Sequence, residues 1–110
     1  MSDMFNGCYL LNELNISNFN TNNVFNMENM FNGCYGLNEL NLANFNTNNV
    51  TNMSGMFSGC SSLKNINLIN FKINKSTDMF HMFYKCKNLK KENISIKDEN
   101  SLKRILKTLN

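Results

Sequence analysis

The pentapeptide Met4-Phe5-Asn6-Gly7-Cys8 returns as Met30-Phe31-Asn32-Gly33-Cys34, as Met56-Phe57-Ser58-Gly59-Cys60 and, in degenerate form, as Met82-Phe83-Tyr84-Lys85-Cys86, each 26 residues after the last. The same step relates Leu11, Leu37, Leu63 and Leu89, then Leu14, Leu40 and Ile66, then Ile16, Leu42, Leu68 and Ile94, then Phe19, Phe45 and Phe71. A fixed period of this length marks a repeat array, in which no unit can bury its apolar face alone and each is completed by its neighbours. With 110 residues in all, the chain has room for about four such units and for little else.

Within a unit, Leu40-Asn41-Leu42 alternates apolar and polar side chains, as a strand with one buried face requires, so strands are expected near 39–43 and at the equivalent positions. Val50, Met53, Met56 and Phe57 then recur at the spacing of a short amphipathic helix, with Thr47, Asn48 or Asn49 to cap it and Gly59 to end it. A strand and a helix repeated at a constant step give parallel ladders with right-handed crossovers. The expected fold is therefore a right-handed α/β solenoid over residues 1–97, closed by a capping helix over 98–110 whose apolar face is Leu102, Ile105, Leu106 and Leu109. The fourth unit departs from the pattern, with Lys85 in place of Gly and with Glu92 and Lys97 where Leu40 and Phe45 stand, and reads as a transition into the cap.

The string Met-Phe-x-Gly-Cys-x-x-Leu-x-x-Leu-x-Leu-x-Asn-Phe-x-Thr-x-x-Val-x-x-Met of residues 30–53 resembles the BspA-like leucine-rich-repeat family, and the resemblance extends over residues 1–96. It implies surface display and adhesion, with the cell surface or the extracellular space as location. The family is defined by packing residues, so the resemblance implies neither a catalytic motif nor a cofactor.

Composition bears on location and partners. No apolar run is long enough for a transmembrane helix, and the N-terminus lacks the basic and apolar regions of an export signal, which leaves a cytoplasmic location open. Residues 1–63 carry four acids and no Lys or Arg, whereas all eleven cationic residues lie from Lys64 onward. The resulting long-axis dipole, together with a start in mid-repeat where Met1 aligns with Met27, suggests self-assembly into a homo-oligomer as the alternative to a binding module. The basic C-terminal third contains a single Arg and no interleaved aromatic platform, so nucleic acid is not an expected partner.

The polar positions of the expected strands form the candidate binding face. Asn15, Asn41, Asn67 and Asn93 align as a file of amides, which both donate and accept hydrogen bonds and so suit sugar hydroxyls or peptide backbone. Glu13, Glu39 and Lys64 flank them. Glu13 and Glu39 fall on adjacent rungs about 5 Å apart, yet nothing adds a substrate cleft or further ligands, and solvated carboxylates are the ordinary reading. The four Cys occur once per unit without metal-like spacing and read as stacked buried thiols. His81, the one histidine, aligns with Asn29 and Gly55 and reads as an exposed polar position. No catalytic residue, metal ligand or cofactor is expected.

Overall fold

The computed structural model describes residues 1–7, 16 and 19–109. Cys8, Glu13 and Asn15 lie outside the described residues.

Three short strands, β1 (Glu39–Asn41), β2 (Asn65–Asn67) and β3 (Ile94–Ser95), form one parallel sheet in chain order. Glu39 pairs with Asn65, Leu40 with Ile66 and Asn41 with Asn67, an offset of 26 that reproduces the sequence period. The central residues of β1 and β2, Leu40 and Ile66, face the core and are buried, as is Ile94 of β3. The strands are short because the next backbone bond is made locally: Asn41 Oδ1 accepts from Ala43 N and Asn67 Oδ1 from Ile69 N, both at 3.0 Å. These side-chain turns bend the chain out of the ladder directly after β1 and β2.

The step from β2 to β3 is different. Ile66 pairs with Ile94 and Asn67 with Ser95, an offset of 28. At the 26-residue step Glu92 would occupy the inward position of Leu40 and Ile66, and burying an unpaired carboxylate there is costly. Side chains alternate with a period of two along a strand, so a slip of two residues preserves the faces and turns Ile94 inward. The extra residues are taken up in a single 3₁₀ turn, Lys91–Asn93. Asn93 consequently leaves the file of Asn41 and Asn67, and Ser95 takes its place.

The short helix expected over Val50 to Phe57 does not form. Residues 54–59 are a run of turns. The backbone divides its donors: Met53, Gly55, Phe57 and Gly59 donate to the carbonyls of Asp78, Phe80, Met82 and Tyr84 in the next repeat, while Met56, Ser58 and Cys60 donate three residues back. An α-helix over Val50 to Phe57 would have turned the Gly55 and Phe57 N–H groups to carbonyls four residues back, taking them from the link between repeats. The dihedral angles exclude it too, since Gly55 and Gly59 have φ of +63° and +76° and their equivalents Asn29, Gly33, His81 and Lys85 are also left-handed. The same division recurs one repeat earlier, where Asn29, Phe31 and Gly33 donate to Ser54, Met56 and Ser58.

Like residues stack in the core. Phe5, Phe31, Phe57 and Phe83 form a column of near-parallel rings with centroids 5.5, 5.7 and 4.9 Å apart. Met30, Met56 and Met82 are fully buried beside them, as are Leu37 and Leu63. A second column is polar: Thr47, fully buried, donates from Oγ1 to Lys72 O and accepts from Lys72 N, both at 3.0 Å. Thr21 makes the same pair of bonds to Asn46.

The helix α1 (Glu99–Leu106) ends this series. Its buried Ser101 accepts from Ile73 N at 2.8 Å, as the threonines do from Lys72 and Asn46, and donates to Asp98 Oδ2 at 2.5 Å. Arg104 donates to the carbonyls of Asn74 and Thr77. Ile105 is buried, with Leu102, Leu106 and Leu109 packed partly on the core. The helix thus meets both apolar side chains and backbone groups that the next repeat would otherwise have covered.

Candidate functional site

The outward side of the three strands carries an open groove of about 450 Å³, lined by Glu39, Asn41, Asn65, Asn67, Glu92, Asn93 and Ser95 around the backs of Leu40 and Ile66. Pairing at a 26-residue offset sets Asn41 beside Asn67 and Glu39 beside Asn65. Of the residues expected to bind, Glu39, Asn41 and Asn67 are thus brought to one surface. Lys64 is exposed and its backbone N donates to Asn38 O, but its side chain does not line the groove. Glu13 and Asn15 fall outside the described residues.

The amides do not act as an independent file. Each Oδ1 of Asn41 and Asn67 is committed to its own turn, whereas neither Nδ2 donates to any group among the described residues. What faces outward is a row of N–H donors at fixed height, with the Glu39 and Glu92 carboxylates as acceptors. Since the lining's charged groups are both acidic, the groove suits hydroxyl or amide partners and repels phosphate.

Sequence reasoning missed the positions contributed by the slipped third strand. Glu92 and Ser95 enter the groove only because Ile94 pairs with Ile66, and their sequence register places neither there. The clue lay in Glu92 itself, a carboxylate at an inward position.

Cys34, Cys60 and Cys86 are buried thiols, and each Sγ–H donates to a phenylalanine carbonyl of the preceding repeat: Phe5 O at 3.2 Å, Phe31 O at 3.2 Å and Phe57 O at 3.0 Å. Burial pushes the Cys86 thiol up to about 12. The Cys60 thiol is raised further, by burial first and then by its neighbours Cys86 and Cys34. Both stay protonated in the folded protein where an unfolded thiol, titrating near 9, has begun to ionise. Their contribution to stability is therefore complete below pH 9 and falls as the pH rises from 9 towards 12. Iodoacetamide at pH 8, with peptide mass analysis, is expected to label Cys60 and Cys86 at least about 100-fold more slowly in the folded chain than in denaturant. Equal rates would show that the thiols are accessible.

No helix among the described residues is long and apolar enough to cross a membrane. The geometry defines a tandem-repeat chain whose units pair laterally through the backbone and set polar side chains in rows on the outer side of a parallel sheet. It belongs to the family described as "Mycoplasma protein of unknown function, DUF285", which residues 1–98 match. No curated protein and no solved structure matches the chain.

Proposed function

We propose that the chain is a non-catalytic binding module, a right-handed solenoid akin to the BspA-like leucine-rich-repeat surface proteins, which presents its strand face to a protein or glycan at the cell surface. The row of outward amide donors at Asn41 and Asn67 carries this reading. Their oxygens are held by Ala43 N and Ile69 N, so the donors are fixed before a partner arrives and little side-chain entropy is lost on binding. The adjacent Glu39 and Glu92 supply acceptors within the same groove.

The turns also determine which variant tests the idea. A bulky residue at position 41 would remove the Asx turn and weaken the fold, at a cost of about 0.5–2 kcal/mol for a lost cap-like bond. Aspartate keeps the Oδ acceptor that holds the turn, replaces the N–H donor with an oxygen and adds one negative charge. The double variant Asn41→Asp, Asn67→Asp, whose two carboxylates repel across adjacent strands, is expected to lose no more than about 1 kcal/mol of stability. Against the strongest hit from glycan and protein arrays, it should bind at least 10-fold more weakly, about 1.4 kcal/mol. A dissociation constant that does not change would reject this face.

A further inference from the structure

A second concavity, of about 290 Å³, lies among the turns and shares no lining residue with the strand groove. It spans three successive repeats. The middle one contributes only Ser54, Gly55 and Ser58, so the surface dips between larger side chains on either side. Gly55 is required here: its φ is +63°, and a Cβ would fall 2.2 Å from Asn29 Oδ1. The Asn29 amide thus reaches over the position a side chain would have filled.

One wall is polar and braced. Asn32 Nδ2 donates to Asn29 Oδ1 at 3.1 Å, and Asn52 Nδ2 donates to Glu28 Oε2 at 3.0 Å. The opposite wall is aromatic. The rings of Phe80 and His81 stack with centroids 3.9 Å apart, His81 and Tyr84 follow at 4.3 Å, and the Lys85 ammonium lies 5.4 Å from the Tyr84 ring centre. This slab is fixed by its own stacking, yet Phe80 remains 68% exposed.

Packing does not account for Phe80. The repeat places Glu28 and Ser54 at its equivalent positions, both polar, and the core columns run through Met82 and Phe83 instead. A large aromatic ring has been set at a solvent-facing position beside a polar recess. Aromatic faces carry partial negative charge and attract the polarised C–H groups of a flat apolar surface. The rest of the lining offers hydroxyls, amides and one carboxylate, which is the donor and acceptor set that reads vicinal hydroxyls. At about the lower limit of small-molecule pockets, the volume suits one ring and not an extended chain. The one acidic side chain in the lining, Glu28, disfavours anionic ligands.

We propose that this notch is a binding site for a single neutral pyranose, its C–H face laid on Phe80 and its hydroxyls bonded by Glu28, Asn32 and the two serines. The site is independent of the strand face and stands whether or not the strand groove binds anything.

The test is a titration of the ¹⁵N-labelled chain with methyl β-D-galactopyranoside, methyl β-D-glucopyranoside and N-acetylglucosamine, with adenosine monophosphate as an anionic aromatic comparison. At least one sugar is expected to give saturable amide shifts at Gly55, Ser58 and His81, with Asn41 and Asn67 unmoved and a dissociation constant on the order of 1–10 mM. Phe80→Ala, which removes an exposed ring, should leave the remaining spectrum in place and weaken binding at least tenfold. Glu28→Gln should weaken it several-fold, and Asn41→Asp should leave it unchanged. The proposal is overturned if none of the sugars gives saturable shifts, if Phe80→Ala binds as well as the parent, if the shifts centre on the strand groove, or if adenosine monophosphate binds more tightly than every sugar.

Discussion

Phe57→Ala is expected to destabilise the protein by about 3–5 kcal/mol, the range for truncating a fully buried phenylalanine. The ring is sandwiched between Phe31 at 5.7 Å and Phe83 at 4.9 Å and has no exposed surface. Its removal opens a hole that the neighbouring rings cannot close, because the bonds from Phe31 N to Met56 O and from Phe57 N to Met82 O hold the repeats at their spacing. A domain of this size has a total stability of about 5–15 kcal/mol, so the variant should melt roughly 15–25 °C below the parent when followed by circular dichroism. Phe25→Ala, at a ring that is 65% exposed, provides the control and should stay within about 0.5 kcal/mol. A loss below about 1 kcal/mol for Phe57→Ala would mean that the phenylalanine column does not hold the repeats together.

The second large effect is polar. Thr47→Val conserves shape but deletes an oxygen that serves both backbone groups of Lys72 in a fully buried position. Leaving one N–H and one C=O without partners costs about 1–3 kcal/mol each, and partial relaxation makes about 2–4 kcal/mol the expected total. Thr47→Ser retains the hydroxyl and should lose only about 1 kcal/mol for the missing methyl group. Urea titration of the three proteins separates the contributions. If valine and serine were equally stable, Thr47 would be a packing residue and not the bracket between repeats that its two bonds describe.

Both effects fall at positions that the period singles out, but the reasons for them were unequally legible. The columns of Met, Phe, Cys and Leu could be read directly, since a residue recurring at a constant step beneath parallel strands must meet its own kind. Thr21 and Thr47 recur at the same step before Ile73 takes the position, yet a pair of threonines gives no sign of whether its hydroxyls face solvent, cap a helix or bracket the next repeat. Only the backbone positions of Asn46 and Lys72 decide that.

The asparagines show the same division. They make up nearly a quarter of the chain, and their outward placement on the strands invites a reading as partner-facing amides. Many instead serve the backbone. Asn26 and Asn52, like Asp78, accept from the N–H two residues on. Asn49, Asn70, Asn74 and Asn88 donate to carbonyls of the preceding repeat. A short amide that can serve a turn or reach one rung away recurs wherever the chain must bend and still couple to its neighbour. At Asn41 and Asn67 both functions coincide, since the oxygen maintains the turn while the nitrogen points outward.

By itself, the sequence determined the period, the identity of the core columns and the alternation that turns Leu40 and Ile66 inward, because these follow from hydrophobic burial repeated at a fixed step. The tertiary structure alone decided that Val50 to Phe57 forms coupled turns and not a helix, since the amphipathic spacing is common to both and only the demand for inter-repeat hydrogen bonds distinguishes them. It likewise decided the two-residue slip that places Ser95 and Glu92 beside the strand groove and the convergence of Phe80 with Glu28 across Gly55. Such placements depend on which backbone groups meet between repeats, a relation that no single repeat contains.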